Sequence, residues 1–405
     1  MNHPEIRGKM TDAGKIDEDA VLRARVLLLG SDRPTRREEV EAYRVLARVS
    51  PLTYLPKLAG ALILLGYEAR AEETKVALHA EAADAVRRLP AGVPARAELM
   101  QRALGAYERS LFGAGRRAEG RAVCEELAES GRGGRLPEVR AEEGRHREAA
   151  ALLGAVAAEA AEVSDWTVYP WAAELSAAGL HEEAVDAFAL AVTKGRRKAA
   201  EDDTPLAGLV WELVHHAGLL DEAGRPGEAG AARREALELL VRLAADGEPK
   251  SWSNILHWWV TLFTLSGRAA EPAASPAAPM PPFGAAGHEW SPDTREAYVA
   301  GIPALEAEAA ALAGAGDGDH RLPERYAVHR RLTLRRSFAT EWHGHRIEEP
   351  LRPLFDEGVA LARRLAGTRP AALPQALTDR AMFLVAVGRF GEALDDYREA
   401  IVTHA

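Results

Sequence analysis

The stretch LTDRAMFLVAVGRFGEALDDYREAI, residues 377–401, decides how this 405-residue chain folds. Its apolar residues recur every three or four positions on both sides of Gly388, which is the spacing of amphipathic helices. A glycine between two such segments favours a tight turn. Small residues at Ala381 and Ala393 would let the two helices approach closely. The stretch therefore predicts a helical hairpin, with Tyr397 filling the space toward the next pair of helices.

The same order of glycine, glutamate and small residue returns upstream. Its copies are Gly115-Glu119-Gly120, Gly144-Glu148-Ala149, Gly179-Glu183-Ala184 and Gly224-Glu228-Ala229. The pattern resembles the tetratricopeptide repeat, a helix–turn–helix unit of about 34 residues. The resemblance implies an all-α fold, a right-handed α-solenoid of about eight or nine helical hairpins. The candidate turn glycines are Gly30, Gly66, Gly115, Gly144, Gly179, Gly224, Gly267, Gly344 and Gly388, and their unequal spacing indicates degenerate repeats.

Composition divides the chain into segments. Residues 269–290, AAEPAASPAAPMPPFGAAGHEW, form an Ala/Pro-rich loop or linker, because proline interrupts helices. We therefore predict a disordered tail at residues 1–15, an N-terminal lobe of hairpins at 16–268 and a C-terminal lobe at 291–405. The alternative to two lobes is a plain insertion at a turn.

Charge and cysteine content restrict the class of protein. A net charge of −10 argues against a general nucleic-acid binder or a basic membrane-surface protein. The single cysteine, Cys124, allows no intrachain disulfide, and Met1–Met10 lacks the apolar stretch of a secretory signal. The longest strongly apolar segment, Leu58–Tyr67, is far short of the roughly 18 residues that span a bilayer. We expect a cytoplasmic protein with no nucleic-acid or membrane partner.

Catalytic and metal-binding motifs are scarce. The sequence has no phosphate-binding P-loop motif, no HExxH, no cysteine pair and no GxSxG. His215-His216 and His343–His345 are conceivable metal ligands, but a turn or core role is favoured for both. Asp317–Asp319 is interpreted as a solvated turn, and Cys124 as a small buried apolar residue. We therefore predict no cofactor and no metal site.

The resemblance also implies a concave groove lined by the first helix of each repeat. Counting back from the turn glycines places Trp166, Tyr169 and Ala173 there from one repeat, Trp211, Val214 and Asp221 from the next, and Asn254, His257 and Thr261 from a third, with Trp258 beside them. The same count places Trp171 and Trp259 in the core. Aromatic side chains with a polar tip are good anchors for a peptide or ligand. The alternative is that these rings fill space between long, irregular helices.

A basic stretch at residues 320–346 is a second candidate. It holds seven arginines, among them Arg331 and Arg335, against two glutamates. Clustered guanidinium groups suit carboxylate or phosphate recognition. The alternative is a helix whose charges pair with acidic neighbours such as Glu348-Glu349.

Taken together, these patterns favour a non-catalytic scaffold that binds a protein or peptide in a concave groove. The alternative is a small-molecule or signal-peptide sensor that regulates a separate effector, and an enzyme built on a solenoid is a third possibility. Leu394, Tyr397 and Ile401 share one face of the last helix, which the preceding hairpin covers only in part. That face predicts a homodimer through the C-terminal hairpin, unless the charged residues of the hairpin suffice as a cap.

Overall fold

The computed structural model describes residues 17–30, 33–129, 134–201, 204–250, 255–314, 319–341 and 346–404. These residues form α-helices joined by turns and three short 3-10 helices, and no β-strand occurs among them. The prediction of an all-α fold is therefore confirmed. The predicted tail at 1–15, Asn254, Asp317 and His343–His345 lie outside the described residues.

The α-helices are numbered here in chain order. They are α1 (Glu18–Leu29), α2 (Arg36–Val49), α3 (Pro51–Glu68), α4 (Glu72–Arg87), α5 (Arg96–Gly113), α6 (Arg117–Glu129), α7 (Leu136–Glu142), α8 (His146–Glu159), α9 (Asp165–Ala177), α10 (His181–Ala200), α11 (Leu206–Glu222), α12 (Pro226–Asp246), α13 (Ile255–Ser266), α14 (Pro292–Ala300), α15 (Ile302–Gly314), α16 (Leu322–Glu341), α17 (Glu348–Leu365), α18 (Ala372–Ala386) and α19 (Phe390–His404). Across the part of the chain that the structure describes, every helix is too short or too polar to cross a lipid bilayer.

The chain divides into two compact units, Met1–Gly134 and Arg135–Ala405. In the first unit, each of α1 to α5 packs against the next helix in sequence. Its core includes Leu62, Val86 and Leu104, which are fully buried. The second unit contains α7 to α19, and the Ala/Pro-rich segment at residues 269–290 lies within it.

Five glycines close the helical hairpins in the same way. Their φ angles are positive: Gly115 (70°), Gly144 (77°), Gly179 (76°), Gly224 (73°) and Gly388 (75°). After each of them, the next N–H donates to the carbonyl five residues earlier, in the pairs Arg116–Leu111, Arg145–Arg140, Leu180–Leu175, Arg225–Leu220 and Arg389–Leu384. This bond is the Schellman closure of a helix C-terminus, which requires the left-handed conformation that glycine adopts most readily.

A buried small residue follows each of these turns. The positions are Gly120, Ala149, Ala184, Ala229 and Ala393, each in the first turn of the second helix. A small side chain there lets the two helices of the hairpin come close together. At Gly120 the approach is so close that a Cβ atom would lie 3.0 Å from the Phe112 ring.

Two other candidate turn glycines do not form this left-handed turn, and the prediction of a turn is wrong at Gly66. Gly66 lies inside α3, where a Cβ atom would collide with the His79 ring. Gly267 has a φ of −90°, and a Cβ atom there would collide with Leu334. Gly30, with a φ of −64°, follows α1 without a left-handed turn. Glycine is required at positions 66 and 267 because a neighbouring side chain leaves no room for a Cβ atom, and not because the backbone has a positive φ.

The second unit is assembled around α13, which packs against α11, α16 and α18. Aromatic rings fill this contact: Phe355 and Phe383 stack at 4.4 Å between ring centroids, and Trp259 lies 5.5 Å from Phe263. The Ala/Pro-rich segment is a loop with two short 3-10 turns. It leads to Trp290, which is buried and stacks on Phe338 with 4.1 Å between centroids.

The C-terminal hairpin returns to the middle of this unit. Helix α19 packs against α12, Tyr397 is buried, and Leu394 and Ile401 pack against the same core. The face from which we predicted a homodimer therefore packs largely against the chain itself, with Leu394 and Ile401 half-buried. The homodimer stays a prediction, and this face no longer supplies the reason for it.

The left-handed turn before α19 can be tested by a pair of alanine substitutions. Gly388→Ala places a Cβ at a positive φ, which costs about 1–2 kcal/mol. Gly391→Ala, in the first turn of α19, meets no heavy atom within 4 Å and improves helix propensity. We expect the urea midpoint of the full chain to fall for Gly388→Ala and to stay level or rise for Gly391→Ala. Equal shifts would contradict this account of the turn.

Candidate functional site

A cavity of about 560 Å³ lies in the second unit. One face of each of the helices α9, α11, α13 and α18 lines it, and α12 and α19 add side chains. On α11 the lining residues are Trp211, Val214, His215, Gly218, Leu219, Asp221 and Glu222. Spacings of three and four residues mean that most of these side chains share one face of the helix. Helices α9, α11 and α18 are each the first helix of a hairpin that a left-handed glycine closes.

The walls of the cavity are largely apolar. Trp211, Trp259, Phe263 and Met382 are among the large side chains of the lining. The Trp211 indole Nε1 donates to the Met382 carbonyl at 3.2 Å, which ties α11 to α18. A mainly apolar cavity of roughly 300–1,000 Å³ with a few polar groups is the common form of a small-ligand site.

Each charged side chain that lines the cavity has a partner within the protein. Asp221 pairs with Arg233, and Asp379 pairs with Arg330 at 3.0 Å. Glu222 accepts from Ser176 at 2.7 Å and lies 3.7 Å from His181. Arg268 donates to the buried Glu174 at 3.0 Å and to the Ala173 carbonyl at 2.6 Å. Asp221, Arg233, Arg268 and Asp379 are thus paired with opposite charges of the fold, and Glu222 is held by Ser176 and His181.

Gly218 keeps part of this space open. It lies inside α11 and is exposed, and no heavy atom lies within 4 Å of the position that a Cβ would take. Glycine inside a helix costs about 0.5–1 kcal/mol relative to alanine. Helix α11 therefore forgoes some stability at a residue whose missing side chain leaves room in the cavity.

Four lining residues carry buried polar atoms that have no hydrogen-bond partner among the described residues. They are His181 Nδ1, His215 Nε2, Trp259 Nε1 and Tyr397 Oη. Leaving such a group unsatisfied costs about 1–3 kcal/mol. Burial lowers the pKa of His215 to about 4, so this imidazole is neutral at pH 7. Burial also raises the pKa of Tyr397, so its hydroxyl keeps the proton. The polar groups of His215, Trp259 and Tyr397 are accordingly neutral and able to form hydrogen bonds.

The structure brings the predicted groove residues to two places. Trp211, Val214 and Asp221, counted from Gly224, all line the cavity, whereas from the Gly179 repeat only Ala173 does so. On α13 the lining residues are Trp259, Leu262, Phe263, Leu265 and Ser266, and His257 and Thr261 are absent from the lining. On α13 the groove positions are counted back from Gly267, which does not form a left-handed turn. The count therefore selects residues other than those that line the cavity.

The other predicted aromatic residues form a separate cluster. The Trp166 ring lies 6.0 Å from Tyr169 and 5.1 Å from His257, and Tyr169 lies 6.4 Å from Trp258. Tyr169 and Trp258 are buried, whereas Trp166 and His257 are half-buried. The exposed His288 stacks on His257 at 5.5 Å. Four of the five predicted groove rings therefore meet, without Trp211, and their role in binding stays a prediction.

A buried carboxyl group, which sequence reasoning missed, lies beside this cluster. The Tyr169 hydroxyl donates to Glu212 Oε1 at 2.6 Å. Burial raises the pKa of Glu212 to about 8, so its carboxyl group is mostly protonated at pH 7. Gly195 makes room for this carboxyl group, since a Cβ atom there would collide with it. A glutamate between two apolar residues, Trp211 and Leu213, is the only sequence signal that points to this burial.

The raised pKa of Glu212 predicts a pH dependence of stability. The folded chain holds this proton up to about pH 8, whereas the unfolded chain releases it near the ordinary value of 4.5. The contribution of protonated Glu212 to the free energy of unfolding is therefore complete below pH 4.5 and is lost as the pH rises toward 8. Glu212→Gln keeps a neutral side chain, so its free energy of unfolding should fall less than that of the wild type between pH 5 and about pH 8. If the free energies of unfolding of the wild type and of Glu212→Gln, measured by urea titration, change in parallel with pH, the raised pKa does not belong to Glu212.

Arg331 and Arg335 are engaged inside the protein. Arg335 donates to both carboxylate oxygens of Glu271, at 2.9 and 2.7 Å, and Arg331 Nε lies 3.3 Å from the same carboxylate. The Arg335 guanidinium also lies over the Tyr298 ring, 4.5 Å from its centroid. Of the two interpretations, this geometry favours charge pairing, with the fully buried Glu271 as the partner in place of Glu348-Glu349. Their role in binding a partner stays a prediction.

The loss of stability when this buried pair is broken distinguishes a structural ion pair from a site that binds a partner. Arg335→Met should lower the free energy of unfolding by about 3–5 kcal/mol, because Glu271 then stays buried without its main counter-ion. The double variant Glu271→Leu with Arg335→Met should recover much of that loss. If Arg335→Met unfolds like the wild type in urea, the pair is not a structural contact.

Cys124, His215 and His216 are the remaining candidates among the described residues. Cys124 is fully buried, and its thiol donates to Glu108 at 3.2 Å. Within the described ranges, no group of three or more His, Cys, Asp or Glu side chains is placed to hold a metal ion. His215 lines the cavity, and His216 is half-buried beside the Phe188 ring, 6.2 Å between centroids.

Comparison with known proteins assigns no family to the chain. It matches no family model and no curated protein. The resemblance to tetratricopeptide repeats therefore rests on the pattern of the hairpins.

Proposed function

We propose that this chain is a non-catalytic helical-repeat protein, resembling tetratricopeptide-repeat solenoids, that binds a small molecule in the cavity of its second unit. In this proposal it senses the ligand and regulates a separate effector. The observation that carries the proposal is the cavity of about 560 Å³, lined by one face of several helices. Repeat arrays build their binding surfaces from corresponding faces of successive repeats. The cavity volume and the apolar walls favour a small molecule over a long, extended peptide.

A peptide-binding scaffold is the second candidate, and a different surface favours it. The cluster of Trp166, Tyr169, His257 and Trp258 has two half-buried rings, and the exposed His288 extends it. Aromatic side chains of this kind are common anchors in interfaces. Because none of these residues lines the cavity, substitutions can separate the two candidates.

Filling the cavity tests the first candidate. Gly218→Leu adds a side chain where no heavy atom lies within 4 Å. The variant should be more stable than the wild type by about 1 kcal/mol, because leucine is a better helix former than glycine. The low-molecular-weight fraction of native cell extract should raise the melting temperature of the wild type, because a ligand of the folded state stabilises it. The same fraction should leave the melting temperature of Gly218→Leu unchanged.

Gly105→Leu in α5 is the matched control, because the position of its Cβ is equally free of neighbours and lies in the first unit. This variant should respond to the extract like the wild type. An equal response of Gly218→Leu would place the ligand outside the cavity. Displayed peptides that bind the wild type and Gly218→Leu equally, but not Trp166→Ala, would favour the second candidate.

A further inference from the structure

We propose that the ligand of this cavity is uncharged and carries at least one hydrogen-bond acceptor, such as a carbonyl oxygen, on a flat apolar body. This inference rests on the proposed function and deepens it, since it names the chemical class that the cavity accepts. Two independent features of the lining support it: the pairing of its charges and the nature of its unpaired polar atoms.

The first feature excludes a charged ligand group on energetic grounds. Arg233 and Arg268, the two cations of the lining, are engaged by Asp221 and Glu174. Asp379 is held by Arg330 and also accepts from Gln375 at 2.8 Å. Glu222 accepts from Ser176 at 2.7 Å and lies 3.7 Å from His181. A charged ligand would lose its hydration and would have to compete with one of these partners. An uncharged ligand requires no such exchange.

The second feature indicates which polar atoms the ligand carries. The indole N–H of Trp259 can only donate, so its partner must be an acceptor. The Tyr397 hydroxyl can donate as well, and the neutral His215 imidazole can donate or accept. These three residues lie on α13, α19 and α11 and line one cavity. The fourth unpaired atom of the lining, His181 Nδ1, lies 3.7 Å from Glu222. A bound carbonyl or ether oxygen is therefore a suitable partner for the other three.

The aromatic walls define the body of the ligand. Trp211, Trp259 and Phe263 present large rings to the lining, together with Met382. Aromatic rings and the adaptable methionine side chain pack well against a flat apolar molecule. A peptide segment, with its many donors and acceptors, would leave most of its polar groups unsatisfied against these walls.

Three dyes of different charge provide the test. Nile red is uncharged, flat and has a carbonyl oxygen, 1-anilinonaphthalene-8-sulfonate is an anion, and thioflavin T is a cation. Fluorescence titration of the full chain should show that Nile red binds, and that binding is at least about tenfold weaker in Gly218→Leu and unchanged in Gly105→Leu. The anionic and cationic dyes should show no binding that depends on Gly218. If Gly218→Leu does not fold, Ala177→Leu fills the same cavity from α9.

A pair of tyrosine variants tests the role of the unpaired polar atoms. Tyr397→Phe removes only the hydroxyl and should weaken Nile red binding about fivefold, the value of one hydrogen bond. Its melting temperature should be equal to or above that of the wild type, because the lost group had no partner in the folded chain. Tyr298→Phe, at a buried tyrosine outside the cavity, should bind Nile red like the wild type.

The outcomes distinguish this inference from the proposed function. Binding of either charged dye that is lost in Gly218→Leu would overturn the uncharged class and leave the cavity as the ligand site. Wild-type affinity of Tyr397→Phe for Nile red would overturn the role of its hydroxyl. If none of the dyes binds in a manner that depends on Gly218 or Ala177, both the inference and the cavity as a ligand site are wrong.

Discussion

The fold depends on one constraint, the left-handed glycine that ends the first helix of each regular hairpin. A φ near +75° lets the following N–H reach back to a carbonyl five residues earlier, and this bond reverses the chain within a few residues. Arg-Glu pairs such as Arg116–Glu119 and Arg225–Glu228 recur after the turns. Because such exposed pairs contribute little, the glycine and the buried small residue set the geometry of the hairpin.

The sequence predicts this left-handed turn only where glycine is needed for its positive φ angle. Gly179 and Gly388 each precede a glutamate and a small residue, and both form the predicted turn. Gly66 and Gly267 are needed instead because His79 and Leu334 approach them from other helices. The local sequence shows only that the glutamate and small residue are not both present after Gly66 and Gly267, because the residues that approach these two glycines are distant along the chain. The all-α class could therefore be predicted, but the positions of all hairpins could not.

How much of the candidate site could be predicted also depends on whether the glycine used for counting forms a left-handed turn. On α11 the register follows from the genuine turn at Gly224, and three predicted residues of that helix line the cavity. On α13 the count starts from Gly267; Trp259 is buried in the core as predicted, but the count did not show that it also lines the cavity. The contribution of α19 depends on its return to α12, a contact between helices far apart in sequence. Local periodicity contains no information about such a contact.

Several local costs coincide at the cavity. Gly218 weakens α11 by about 0.5–1 kcal/mol relative to alanine, and each unsatisfied polar atom costs about 1–3 kcal/mol. For a domain whose net stability is about 5–15 kcal/mol, these costs together are a large fraction. A leucine at 218 or a phenylalanine at 397 would remove part of them without a change of fold. Proteins commonly accept such costs where a binding site requires open space and unpaired donors, because the bound molecule offsets them.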